Sequence, residues 1–162
     1  MANTIHGVVR TDMLSHTIDG AGLNSVKYMV GEEFADIDNG SVVMLEALIE
    51  GERELWKAVE PTDAATLKNI GLVATPEVMY DERLRNLTDF YNEAGQAIRC
   101  YRLESADCFS VTAPVVEGFD SAVVGSTIGI QGTKWLVGGT GIGKVIAIEN
   151  VGSLRYLVIC VD

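Results

Sequence analysis

Basic residues are scarce in this sequence. Twelve Lys and Arg stand against 23 Asp and Glu, for a net charge of −11. Phosphate contact needs a basic face, so this balance argues against nucleic acid as the main partner. It argues equally against an anionic membrane surface. Histidine is rarer still: only His6 and His16 occur, and three scattered cysteines do not complete a zinc ligand set with them. Cys100, Cys108 and Cys160 never stand at CxxC spacing. An odd, dispersed set argues against a disulfide framework and for synthesis in a reducing cytoplasm. The usual role of such residues is that of small buried hydrophobes. No window approaches the roughly 20 apolar residues of a membrane span. The start, Met1 to His6, carries neither a basic region nor an apolar one of the kind a leader needs, so export by that route is not expected. No cofactor and no metal are expected.

What is present is an ordinary globular composition: 162 residues, 48% of them apolar and 22% charged. That length favours one domain and lets roughly 70% of the unfolded surface be buried without a metal or disulfide. The charge is uneven. Residues 32–93 hold fifteen acids and five bases, whereas residues 119–162 hold three of each, together with eight of the seventeen glycines. A neutral, glycine-punctuated stretch is either core or a surface that meets another chain, and the acidic remainder keeps a crowded protein soluble.

Hydrophobic patterning reads as mainly β, barrel-like or sandwich-like, with one short inserted helix and an extended N-terminal arm. Residues 1–31 are broken by Gly7, Gly20, Gly22 and Gly31 and read as an arm with at most one short strand. Its apolar groups, Leu14 and Tyr28 among them, imply packing on the body or on a neighbour. Residues 32–162 read as a single β-rich domain. Asp36 to Gly40 is a turn, since Asn and Gly accept positive φ. Ser41–Ile49 and Arg53–Val59 then make a hairpin, and Ile70–Thr75 returns to strand. Asp63–Asn69 reads as a short helix capped by Thr62 or Asp63. Thr75-Pro76 resembles a helix start, which predicts a helix within 76–94 ending at Gly95. Strands follow at Ala97–Leu103, Cys108–Thr112, Ala122–Ile130, Lys134–Val137, Lys144–Glu149 and Leu154–Val161. Short strands with regular turns point to a barrel or sandwich rather than to βαβ units.

Three motifs imitate chemistry and then depart from it. Gly138 to Lys144 fits the GxxxxGK part of a phosphate loop, but Val145 stands where a Mg²⁺-binding hydroxyl belongs. The residues after it read as strand, not as the helix that would hold phosphates. Asp36, Asp38 and Asn39-Gly40 open like a calcium loop, but the sixth and twelfth positions are Ser41 and Ala47. Gly125 to Gly129 imitates a nucleophile elbow around Thr127, with no histidine later in the chain. No catalytic residue is assigned. Trp and Tyr are the favoured anchors of interfaces. Trp56, in a strand of mixed face polarity, and Trp135, in the neutral segment, join Leu14 and Tyr28 as candidate contact residues.

Three stretches resemble a known group of proteins. They are Phe34-Ala-Asp-Ile-Asp-Asn-Gly-Ser-Val-Val43; Thr75-Pro-Glu-Val-Met-Tyr-Asp-Glu82 with Phe90-Tyr-Asn-Glu-Ala-Gly95; and Ala97-Ile-Arg-Cys-Tyr-Arg-Leu103 through Phe109-Ser-Val-Thr112. They look like the head decoration, or cement, proteins of tailed bacteriophages, and the similarity runs from about Val8 to Ile159. The resemblance implies a β-rich body on the outer surface of the virion, made in the bacterial cytoplasm. It implies the major capsid protein as partner and self-association, often as a homotrimer. It implies no enzymatic activity. The alternatives are a phage tail or head–tail connector protein, and a small cytoplasmic enzyme with an unrecognised site.

Overall fold

Short runs rich in Val, Ile, Leu and aromatic residues become strands along the whole chain, because such side chains fit a pleated, half-buried surface. The computed structural model describes residues 5–81, 83 and 86–162. Among them are thirteen strands: β1 (Val9–Met13), β2 (Leu23–Val30), β3 (Glu33–Phe34), β4 (Val42–Leu48), β5 (Leu55–Val59), β6 (Ile70–Val73), β7 (Ile98–Arg102), β8 (Cys108–Val111), β9 (Val116–Glu117), β10 (Thr127–Gln131), β11 (Lys134–Val137), β12 (Gly143–Val151) and β13 (Leu154–Val161). One sheet has the order β1-β8-β13-β12-β10-β11-β9. In the other, β2, β5, β4, β6 and β7 pair in turn, and β2 pairs back onto β7, which closes a five-stranded barrel with β3 appended. Closure leaves those five strands without a free edge. The chain starts in the open sheet, builds the barrel, and returns to complete the sheet.

Two hydrophobic clusters hold this arrangement. Val26, Val43, Leu45, Ala58, Val73, Ile98 and Cys100 pack together inside the barrel. The alternate residues of the same strands, Val42, Ile70, Leu72 and Tyr101, point outward and join Phe109, Val111, Ile128, Trp135, Leu157 and Ile159 of the open sheet. Side chains of a strand alternate between faces, so β4, β6 and β7 must be apolar on both. This is why Val42-Val-Met-Leu45 and Ile70-Gly-Leu-Val73 read as continuous apolar runs rather than as alternation.

The hairpin of β4 and β5 forms as expected. Residues 5–31 do not form an extended arm. β1 pairs with β8 at an edge of the open sheet, and β2 is a barrel stave. A register shift between Arg10 and Met13 breaks the alternation of β1. The glycines Gly20 and Gly22 lie in the turn between the two strands rather than within them. Leu14 is buried in the inter-sheet cluster.

The helix expected within 76–94 does not form over the described residues. Glu82, Leu84 and Arg85 of that stretch lie outside them. The rest is irregular apart from one 3-10 turn, Leu87–Asp89, capped reciprocally by Asn86 and Asp89. An amphipathic helix draws its stability from a buried face, and here Val78, Tyr80 and Leu87 are exposed. Asp63–Asn69 also forms turns rather than a helix. The Asn69 side chain accepts from the Thr66 amide (2.7 Å) and donates to the Ala64 carbonyl (3.2 Å), taking backbone groups that a helix would use.

Trp135 joins the two layers. It is 0% exposed, its ring lies 5.0 Å from that of Phe109, and its indole N–H donates to the Gly40 carbonyl at 2.8 Å. A buried carbonyl left without its donor costs about 1–3 kcal/mol, and truncating a buried Trp costs about 3–5 kcal/mol. Trp135→Phe is therefore expected to lower unfolding free energy by about 1–3 kcal/mol, and Trp135→Ala by more, as measured by urea titration followed through far-UV circular dichroism.

Candidate functional site

The turn from Asp36 to Gly40 gathers the parts of the molecule that lie outside regular sheet. Asp36 accepts the Ala94 amide at 2.7 Å. Ile37 exchanges backbone hydrogen bonds with Asn92 in both directions. Asp38 accepts the Gly7 amide at 2.8 Å and lies 2.7 Å from the Nδ1 of His6. The Asn39 side chain donates to the Thr75 carbonyl (2.8 Å) and accepts the Thr75 amide (3.0 Å); it also accepts from the Asn92 amide group (3.0 Å). Gly40 turns with φ +87°, a conformation L side chains rarely adopt, and its amide donates to the Val73 carbonyl. The carboxylates that suggested a calcium loop are thus occupied by donors of the protein itself.

Beside this turn lies an open cleft of about 510 Å³, lined by His6, Tyr28, Asp36, Asp38, Tyr91 and Lys134 among others. The His6 ring stacks on Tyr91 at 4.7 Å. In the neutral tautomer that donates from Nδ1 to the Asp38 carboxylate, Nε2 is an acceptor. Burial, assisted by the charge of Glu60, raises the Tyr28 hydroxyl above its ordinary value, so it stays protonated and able to donate. The cleft can therefore offer an imidazole acceptor, a phenol and stacked aromatic faces. Among the described residues, no group of three or more His, Cys, Asp or Glu is placed to hold a metal ion.

A second feature stands out from the body. The described residues from Ala74 to Ala97 contain no strand. Its ends are fixed by the bonds of Thr75, Asn92 and Ala94 to the 36–40 turn, and the Thr88 carbonyl accepts the His6 amide at 2.9 Å. Between these fixed points Val78 is 57% exposed and Tyr80 95% exposed. Nearby, Arg83 holds the Asp81 carboxyl down at about 2 through its guanidinium and backbone amide bonds. Long irregular segments fixed at their ends are common carriers of function.

The four candidate contact residues separate on burial. Trp135 and Leu14 are core residues, and their side chains are consumed inside the chain. Tyr28 and Trp56 are half-buried on the neighbouring strands β2 and β5 and pack against the barrel cluster. Tyr28 lines the cleft, and Trp56 lies under the Arg102 guanidinium at 5.2 Å. In the neutral, glycine-rich segment Trp135 itself is core, whereas Val123, Val124 and Val151 of the same segment are exposed. The exposed apolar residues Val78, Tyr80, Val123 and Val124 were missed. Val78 and Tyr80 lie in the stretch expected to be a helix, and Val123 and Val124 in the expected strand Ala122–Ile130, which starts only at Thr127; in either element they would have been assigned to a packed face.

The glycine run from Gly138 to Lys144 leads into β12 and not into a helix. Two of its glycines serve close packing, since a Cβ on Gly139 would come within 2.8 Å of the Gly129 Cα and one on Gly143 would meet the Cys160 carbonyl, while Gly138 and Gly141 take positive φ in open space. No family model matches the chain, and neither a curated protein nor a solved structure matches it.

The bonds around Asn39 generate a test. Asn39→Ala leaves the Thr75 amide and carbonyl without partners, at a cost on the order of 3 kcal/mol. Hydrogen exchange is expected to show faster exchange at Thr75 and Asn92 in this variant, while the amides of β13 keep their order of protection.

Proposed function

We propose that this protein is a bacteriophage virion structural protein, a decoration subunit that binds the outer surface of the assembled head through the major capsid protein. The observation that carries the reading is the 74–97 segment, which is held at both ends and presents Val78 and Tyr80 to solvent. An isolated protein gains nothing from holding an aromatic ring in water. A partner that covers it gains buried area at little entropic cost, because the segment's ends are already ordered. The resemblance of the Phe34, Thr75 and Ala97 stretches to decoration proteins supplies the partner. The acidic surface suits a subunit repeated many times on one particle. Self-association, including a trimer, belongs to the same proposal, and a stable interface of either kind buries at least ~1,000 Å².

A second reading, a small ligand-binding enzyme, is favoured by the His6, Asp38 and Tyr91 cleft alone. The two readings divide the molecule differently, so one experiment separates them. Capsids mixed with the protein are expected to show added density at regular surface sites by cryo-electron microscopy. Tyr80→Ala, or Val78→Asp, is expected to weaken attachment at least tenfold with an unchanged melting temperature. His6→Ala is expected to leave attachment as it was. Density on tails or connectors instead, or none on any particle, would remove the head-decoration reading.

A further inference from the structure

Cys108 and Cys160 face each other at one end of the β8–β13 ladder in the open sheet. They are register partners on the antiparallel strands β8 and β13. Antiparallel partners alternate between hydrogen-bonded and non-hydrogen-bonded stations. At the adjacent station the Val161 amide donates to the Asp107 carbonyl at 2.9 Å. The cysteine pair is therefore at a non-hydrogen-bonded station. There the Cα atoms stand about 4.5 Å apart and the side chains come closest. A disulfide spans Cα separations of roughly 4.4–6.8 Å, so a bond here needs little backbone movement.

The sheet presents this pair to solvent. Phe109, Ile159 and Val161, the flanking residues described as core, point inward, so both cysteine side chains lie on the outer face. Both thiols are free and partly exposed; that of Cys108 is directed to the Ala106 carbonyl at 3.6 Å and that of Cys160 to the Val161 carbonyl at 3.8 Å. Cys100 is different: it is completely buried inside the barrel, where desolvation pushes its thiol up to about 12.

We propose that Cys108 and Cys160 are a redox-sensitive modification site that closes to a cross-strand disulfide, with a small disulfide such as oxidised glutathione as the oxidant. One protein thiolate attacks a sulfur of the glutathione disulfide, whose S–S bond breaks, and one glutathione leaves as its thiolate. The second protein thiolate then attacks the protein sulfur of the mixed disulfide and expels the second glutathione. The two protein thiols give up two protons and two electrons, and the oxidant takes up the electrons as two free thiols. Burial, followed by the contact with Cys160, pushes the Cys108 thiol up to about 11. The attacking thiolate is therefore scarce at neutral pH, and closure is slow there and faster in alkali. In the reduced state β13 is held to β8 by backbone hydrogen bonds and core packing, with no covalent link. In the oxidised state it is covalently attached to it.

The full-length folded protein, incubated with oxidised glutathione under mildly alkaline conditions, tests this. The expected product is lighter by two hydrogens, has lost two of its three titratable thiols, and yields a peptide in which Cys108 is joined to Cys160. Cys160→Ser is expected to stop at a glutathione adduct on Cys108. Cys100→Ala is expected to close as the wild type does. Unfolding in denaturant before oxidation is expected to scramble the pairing among all three cysteines. Persistent free thiols at positions 108 and 160, or stable glutathione adducts on both without a cross-link, would overturn the proposal.

Discussion

The conformation of five residues, Asp36 to Gly40, is the constraint on which the remaining structure rests. Strand pairing organises the barrel and the open sheet internally, but it does not fix one to the other or position the chain outside them. The turn does both. Its carboxylates and its asparagine take backbone groups from residues 7, 75 and 94, and the Gly40 carbonyl takes the indole of Trp135 from the other sheet. A short polar segment can do this because a buried backbone group without a partner costs as much as a lost hydrogen bond. Each of those segments is held in place by what it would lose on leaving.

The second constraint is that three strands serve two cores at once. The inward residues of β4, β6 and β7 fill the barrel and their outward residues meet the open sheet. Neither layer has a complete core alone: without the open sheet, Val42, Ile70 and Leu72 would be exposed. The two layers therefore depend on each other, and residues 9–30 supply strands to both. β1 extends the open sheet and β2 closes the barrel. With the interior claimed in this way, the exposed apolar residues of the 74–97 segment lie outside both cores and have no packing role within the chain.

The same geometry explains which local motifs came to nothing. Asp36 and Asp38 resemble the opening of a calcium loop because Asx residues and glycine suit any tight turn, and here the ligands of those carboxylates are amides and an imidazole. The glycines before Lys144 resemble a phosphate loop because both need glycine for positive φ and close approach, and here Gly138 and Gly141 supply the φ while the backbones of Gly129 and Cys160 approach Gly139 and Gly143. The side chains of Trp135 and Leu14 are the same in a core as in an interface, so their chemistry alone could not separate the two roles.

The sequence by itself determined the mainly β character, the 42–59 hairpin, the strands at 98–102, 108–111, 134–137 and 154–161, and the strand character of the residues after Lys144. These are local properties: period-two burial, β-branched composition and turn residues with permitted positive φ act within a few residues of one another. Only the tertiary structure decided that residues 9–30 are strands of two different sheets and that 76–94 lacks a helix. It alone decided which aromatic residues are consumed in the core and which cysteines face each other. A strand or helix forms where a partner surface covers it, and Cys108 and Cys160, far apart in the chain, meet only through the register of β8 and β13. Long-range burial and register are sums over the whole fold, so no window of the sequence contains them.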